Sequence, residues 1–323
     1  MKIISNPTQD KIIMAAKALK DGYLVAFPTE TVYGLGADAT NEKAVSRIYS
    51  VKGRPTDHPL IVHISSINQL DKWTIDIPDY AIELAKKFWP GPMTLILKRN
   101  SLARDFITGG QGNIGIRVPD QSVALRLLNE FEKLGGLGIA APSANRFGAV
   151  SPTTALAVEE ELSRFLSIKD LILDGGECMI GIESTIIDCT KSSPIILRSG
   201  KISINMVKKL IGHVNYNNIG ETNIKASGLL KFHYSPKAQV VLNKFPEYGE
   251  GFIALNNIPT PIGVVRLAAP SNISEYAKCL YKALREGDKK KLNKIFVWPP
   301  SGDGLAIAIN DRLSKASKIS GEI

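Results

Sequence analysis

The sequence predicts an α/β protein in two unequal parts, and three observations carry that expectation. Short apolar runs alternate with segments of helical periodicity through most of the chain. Polar, glycine-bearing turns follow those runs, and that is where α/β folds put ligand contacts. Near residue 212 the periodicity lapses, and a regular strand–helix alternation begins again at Gln239. A chain of 323 residues also exceeds one typical domain.

Composition narrows the class further. A hydrophobic share of 44% and a charged share of 22% are ordinary for a soluble globular protein. The net charge of +9 allows an anionic partner, nucleotide or RNA, without demanding one, because the lysines are scattered and only Lys289–Lys291 form a short run. Cys178, Cys189 and Cys279 lack CxxC or metal-ligand spacing and read as reduced thiols. No apolar run approaches the ~20 residues that span a bilayer, and the N-terminus shows no signal-peptide pattern. A soluble cytoplasmic protein without a membrane partner is expected.

In order, residues 9–20 read as a helix with Ile12, Ala16 and Leu19 on one face and Gly22 as its stop. Residues 24–27 follow as a buried strand. PTETVYGLG, residues 28–36, is a polar loop carrying Thr29, Glu30 and Thr31. It reads as a ligand contact or as a turn whose threonines bond their own backbone. Ala44, Val45, Ile48 and Tyr49 recur at helical spacing and lead into VKGRPTDHPLIVHISS, residues 51–66. There Lys52 and Arg54 flank a glycine, Pro55 and Pro59 stiffen the loop, and His63 sits on the strand that follows. Two fixed cations so placed suit the oxygens of a phosphate, although a solvated basic turn has the same composition.

Residues 80–88 form an amphipathic helix broken by WPGP, and 93–97 resume as a strand. A glycine-rich connection enters the strand at 114–119, where Arg117 must find an anion or reach solvent. After a helix over 121–134, a small-residue strand at 137–141 feeds PSAN. Its Ser143 and Asn145 offer side-chain hydrogen bonds to a flat ligand, or Ser143 caps the turn. A helix over 153–166, a strand at 171–173, the polar turn and strand GIESTIID (181–188) and a strand ending in Arg198 complete this part, with a helix over 205–211 behind them. Residues 212–228 read as a linker. The aromatic-rich GLLKFHYSP at 228–236 is expected to dock back onto a domain. Strands near Val240 and at 252–255, 263–267 and 295–297, with helices over 274–285 and 304–317, predict a small domain with a parallel sheet and no catalytic constellation.

The polar groups at strand ends are Thr31, Lys52, Arg54, His63, Arg117, Ser143, Ser184 and Arg198, a set rich in donors and poor in carboxylates. No Ser-His-Asp arrangement, HExxH, Walker GxxxxGK[ST] or GxGxxG accompanies them. Such a set implies electrostatic holding of a polyanion without a protein nucleophile.

FPTETVYGLG, KGRP, PLIVHI, WPGPMTL, GIRVP, APSAN, GIESTIID, ILR and HYSP together, in that order, resemble the threonylcarbamoyl-AMP synthase family in its long form, over essentially the whole chain. The resemblance implies a YrdC-like twisted mixed sheet flanked by helices over residues 1–204, a linker over 205–237 that folds back over the site, and a smaller Rossmann-like α/β domain over 238–323. It implies L-threonine, bicarbonate and ATP as substrates, Mg2+ carried by the phosphates, and L-threonylcarbamoyl-AMP and pyrophosphate as products. A downstream threonylcarbamoyl-transfer complex acting on tRNA then follows. Thr31, His63, Arg117, Ala141 and Ser184 would hold threonine. Arg54, His58, Asn113, Ser143, Asn145, Ser151, Arg198 and Tyr234 would hold ATP. Lys52 and Arg54 would supply the catalytic charge, and no protein-held metal is implied. His58 stands where the family often has asparagine, Ser199 stands where LRPG is usual, and Ser235 replaces the alanine of HYAP. An RNA-binding module without chemistry is the alternative reading. Carbamoyl transfer from carbamoyl phosphate is a distant third, because this chain lacks the accompanying acylphosphatase and zinc-finger segments.

Overall fold

A computed structural model describes residues 1–216, 224–228 and 233–317. Residues 217–223 of the expected linker and 229–232 of the aromatic segment lie outside them. The first part contributes β1 (Lys2–Ser5), β2 (Val25–Phe27), β3 (Gly34–Asp38), β4 (Ile61–His63), β5 (Met93–Lys98), β6 (Asn113–Arg117), β7 (Ile139–Ala140), β8 (Leu171–Asp174), β9 (Thr185–Asp188), β10 (Ile195–Arg198) and β11 (Asn215–Tyr216). They form one mixed sheet of 11 strands in the order β1-β8-β2-β3-β7-β4-β6-β5-β9-β10-β11. Against it lie α1 (Gln9–Lys20), α2 (Glu42–Lys52), α3 (Asp79–Phe88), α4 (Asp105–Thr108), α5 (Ser122–Lys133), α6 (Ala155–Leu162) and α7 (Ile204–Ile211). The second part pairs β12 (Gln239–Leu242), β13 (Gly251–Ile253), β14 (Val265–Ala268) and β15 (Lys294–Val297) with α8 (Ile273–Lys289) and α9 (Leu305–Ala316). Its sheet runs β12-β15-β13-β14 with every pairing parallel, as the strand–helix alternation predicts.

Two-residue periodicity explains why the central strands build a site. Leu60, Val62 and Ile64 around β4, Ile114, Ile116 and Val118 around β6, and Met93, Leu95 and Leu97 on β5 all enter the main apolar core. Their alternates, Ile61 and His63, Gly115 and Arg117, and Thr94 and Ile96, therefore share the other face. His63 and Arg117 are register partners in the β4–β6 pair.

Several elements depart from expectation, among them β11, which pairs with β10 inside the stretch read as linker. β3 begins inside the segment read as a loop, because Gly36 admits a close approach. A Cβ there would lie 2.8 Å from Ile139 and 2.8 Å from Phe27. β1 pairs parallel with β8 at the sheet edge and was not anticipated, since four residues show no useful alternation. The helix expected over 153–166 occupies only Ala155–Leu162, with Thr154 accepting from the Ala157 amide as its cap.

A second apolar cluster joins the two parts. Val32, Val150, Ile180 and Ile182 of the first pack with Tyr276, Leu280, Tyr281, Ile309 and Leu313 of the second, and Tyr234 lies among them. Among the described residues no helix is long and apolar enough to cross a membrane.

Candidate active site

The polar face of the central strands encloses a cavity of about 50 Å3. Arg117, at the end of β6, donates from Nη1 to Thr31 Oγ1 at 3.0 Å and from Nη2 to Glu30 Oε1 at 2.5 Å. The second Glu30 oxygen accepts the Asp120 amide at 3.1 Å, so this carboxylate is held at both oxygens. Thr29 Oγ1 donates to the Val32 carbonyl at 2.6 Å, which leaves Thr31 as the donor in the 2.8 Å hydroxyl pair they form. His63 is buried beside them, and burial, helped by the Arg117 charge, lowers its pKa to about 3. The imidazole is therefore neutral near pH 7, and its Nδ1 has no partner among the described residues. Ala141 completes this wall with a methyl group.

The opposite wall carries two more arginines. Gly53 closes α2 in the left-handed region (φ 61), and a Cβ there would sit 2.6 Å from Arg146 Nη2. This turn delivers Arg54 to the cavity, where it donates to the Pro59 carbonyl at 2.9 Å and to Ser227 Oγ at 3.2 Å. Burial lowers its pKa to about 10, which leaves it charged at neutral pH. From the end of β10, Arg198 donates to the Ser184 carbonyl at 3.0 Å, to Ser184 Oγ at 3.1 Å and to the Ser227 carbonyl at 2.8 Å. Ser184 Oγ in turn lies 2.8 Å from Thr94 Oγ1. Two cations from separate elements thus converge on Ser227. Tyr234, in the left-handed region at φ 64, is fully buried, its hydroxyl has no partner among the described residues, and it stacks on Tyr281 at 5.7 Å between ring centroids.

The cavity gathers Thr31, Arg54, His63, Arg117, Ala141, Ser143, Ser184, Arg198 and Tyr234, nine of the residues read from the sequence. Five lie outside its lining. Lys52 is buried behind the Ser143–Asn145 turn, with Nζ donating to both carbonyls, at 2.5 Å to Ser143. Burial, then the nearby Arg54 charge, lowers its pKa well below the usual lysine range. Asn145 donates to the Arg146 and Ala149 carbonyls and so braces the same turn. His58 meets Phe147 edge-on at 5.3 Å between centroids. Asn113 lines a narrow gap beside Pro59, Lys225 and Ser227. Ser151 is buried behind Glu183 and donates to it at 2.7 Å.

The sequence reading missed several groups. Glu183 lines the cavity and pairs with an arginine at 3.0 Å, whereas Glu30, read only as part of a polar loop, lies outside the lining and pairs with Arg117 at 2.5 Å. The partner of Glu183 is Arg312 on α9, in the part read as holding no catalytic constellation. Nothing in the spacing of an α9 arginine marks it, because its partner lies 129 residues away. Ser227 and His233 also line the cavity. The aromatic segment could have signalled His233, and no local pattern points to Ser227.

Comparison with known proteins follows the same division of the chain. A family model described as telomere recombination matches residues 17–200, and one described as threonylcarbamoyl-AMP synthase, C-terminal domain, matches 202–318. A threonylcarbamoyl-AMP synthase of Pyrococcus abyssi is 39% identical over 95% of this chain and 94% of its own length. One from Bacillus subtilis is 37% identical over 95% and 93%. The crystal structure of P. abyssi Sua5 complexed with L-threonine superposes with a TM-score of 0.88 at 37% identity, covering 98% of this chain and 97% of the other.

Proposed function

Because the chain belongs to the threonylcarbamoyl-AMP synthase family in its long form, we propose that it makes L-threonylcarbamoyl-AMP from L-threonine, bicarbonate and ATP, releasing pyrophosphate. The observation that supports this most is one cavity with two differently charged walls. An arginine held by a carboxylate, a neutral imidazole and hydroxyls stand on one side, and two arginines without carboxylate partners in the cavity stand on the other.

In this reading threonine occupies the side of Thr31, His63, Arg117, Ala141 and Ser184. Its carboxylate takes the Arg117 guanidinium, whose charge Glu30 only partly offsets. A neutral His63 can accept a hydrogen bond from the amine or hydroxyl. Threonine's nitrogen adds to carbon dioxide or bicarbonate, forming a C–N bond, with water as the by-product from bicarbonate. A carbamate oxygen then attacks the α-phosphorus, and the bond from that phosphorus to the pyrophosphate oxygen breaks. The attack brings an anion onto a polyanion, so positive charge on the phosphates is required. Arg54 and Arg198 supply it, and Lys52 acts by pinning the turn that carries Ser143 and Asn145. His58, Asn113, Ser151 and Tyr234 complete the nucleotide set.

Both arginines now hold the neutral Ser227. Phosphate oxygens make stronger, charge-assisted bonds, so ATP displaces this segment, and the segment bearing Tyr234 closes again over the bound nucleotide. Among the described residues no three His, Cys, Asp or Glu side chains group as metal ligands, and Glu183 in the cavity and Glu30 beside Arg117 are each paired with an arginine. Mg2+ would therefore arrive on the phosphates and add positive charge there. The product passes to machinery that transfers the group to the adenosine next to the anticodon of tRNA. Three free thiols agree with a cytoplasmic setting.

Pyrophosphate release from ATP is the test, measured with threonine and bicarbonate present together and each omitted. Release that needs both is expected. Release indifferent to threonine, or none from folded protein, would overturn the reading.

A further inference from the structure

The second part of the chain reaches the cavity wall through one buried carboxylate. Glu183 lines the cavity, and its Oε2 accepts from Tyr281 of α8 at 2.9 Å and from Arg312 Nε of α9 at 3.0 Å. Its Oε1 accepts from Ser151 at 2.7 Å. The carboxyl stays ionised: burial pushes its pKa up, but Arg312 and then Arg198 outweigh burial and hold it at about 2. Arg312 is itself fixed, with Nη1 on Asp311 at 2.7 Å and its side chain fully buried. The same turn of α9 carries Lys315, whose Nζ donates to the Gly228 carbonyl at 2.8 Å, next to the Ser227 that occupies Arg54 and Arg198.

Arg198 lines the same cavity as Glu183, and its charge also acts on that carboxylate. Arg312 bonds it, and Arg198 points its donors elsewhere, to Ser184 and Ser227. A buried anion deprived of its partner draws in the nearest remaining cation. We propose that Arg312 is a positioning residue for the nucleotide side of the site: by holding Glu183 it leaves Arg198 available to the phosphates of ATP. This rests on the reading that Arg198 binds ATP. On that basis, α8 and α9 are part of the nucleotide site.

The test is ATP affinity and threonine affinity by calorimetry on the full chain, with thermal melts to verify folding. Arg312→Met should weaken ATP roughly tenfold or more and threonine by clearly less, since Thr31, His63 and Arg117 hold threonine without Glu183 and only Ser184 is shared with Arg198. Adding Glu183→Gln to Arg312→Met should restore most of the ATP affinity, because no anion remains to capture Arg198. A merely structural ion pair would lower and restore both affinities alike. If Arg312→Met fails to fold, Arg312→Lys, which keeps the charge but loses the planar fork, should show a smaller loss of the same kind. Unchanged ATP affinity in a folded variant would overturn the proposal. So would equal loss for both substrates, recovered or not in the double variant. Nucleotide affinity is read without turnover, so pyrophosphate release by the unaltered protein judges the synthase reading separately.

Discussion

At the residue scale the cavity is a problem of burying cations. Arg54, Arg117 and Arg198 are all nearly excluded from water, and each is satisfied by a different device. Arg117 has the Glu30 carboxylate, whereas among the described residues Arg54 and Arg198 bond hydroxyl and carbonyl oxygens. Neutral acceptors leave a positive potential in place, and that potential suits a polyphosphate. Arg54→Ala should lower pyrophosphate release by about 10²–10³, the cost of removing one preorganised donor from a developing charge. Steady-state rates at saturating threonine measure it, and near-normal turnover would remove Arg54 from the site. Lys52 illustrates how sequence position misleads. It stands two residues before Arg54, yet the last turn of α2 buries it under the Ser143–Asn145 turn while Gly53 swings Arg54 into the cavity.

At the element scale the short segment 224–228 matters most. Lys225 pairs with Asp57 at 2.6 Å, the Lys225 amide donates to Gln111 at 2.7 Å, and Ile224 and Ala226 pack on Ile96, Ile186 and Leu197. These contacts seat Ser227 on the two arginines. Gly228 follows at φ 80, and a Cβ there would lie 2.3 Å from the Tyr234 hydroxyl and 3.0 Å from Arg198 Nη1. Gly228→Ala therefore combines a backbone penalty of about 1–2 kcal/mol with a clash at both partners. The expected outcome is an undocked segment, cleaved faster in limited proteolysis, with the melting temperature of the rest little changed. Cleavage at the unaltered rate would contradict the docking.

The whole molecule is held by a core that runs through both parts and by buried neutral histidines. Burial lowers the pKa of His63 and of His233 from 6.5 to about 3. Between those values the unfolded chain takes up protons that the folded chain refuses, so stability is intact above pH 6.5 and falls as pH drops through that window. At pH 5.5 the pair should cost roughly 3 kcal/mol relative to pH 8. Denaturant midpoints at the two pH values measure it, and the carboxylates contribute little there, since they titrate mainly below pH 5. Equal midpoints would mean that the rings are protonated or exposed.

The sequence by itself determined the α/β class, the parallel second sheet and, by residue type and place, seven of the nine cavity residues, the resemblance adding Ala141 and Tyr234. Local signals sufficed, because hydrophobic period, glycine turns and polar strand ends are written within a few residues of one another. Tertiary structure alone decided three things. It buried Lys52 behind the turn it had been expected to accompany into the site. It gave Ser227, from an unpatterned stretch, the place between Arg54 and Arg198. It also brought Arg312 to Glu183 across 129 residues of chain. Each depends on where packing leaves a charged or polar group without water, and no spacing along the chain encodes that.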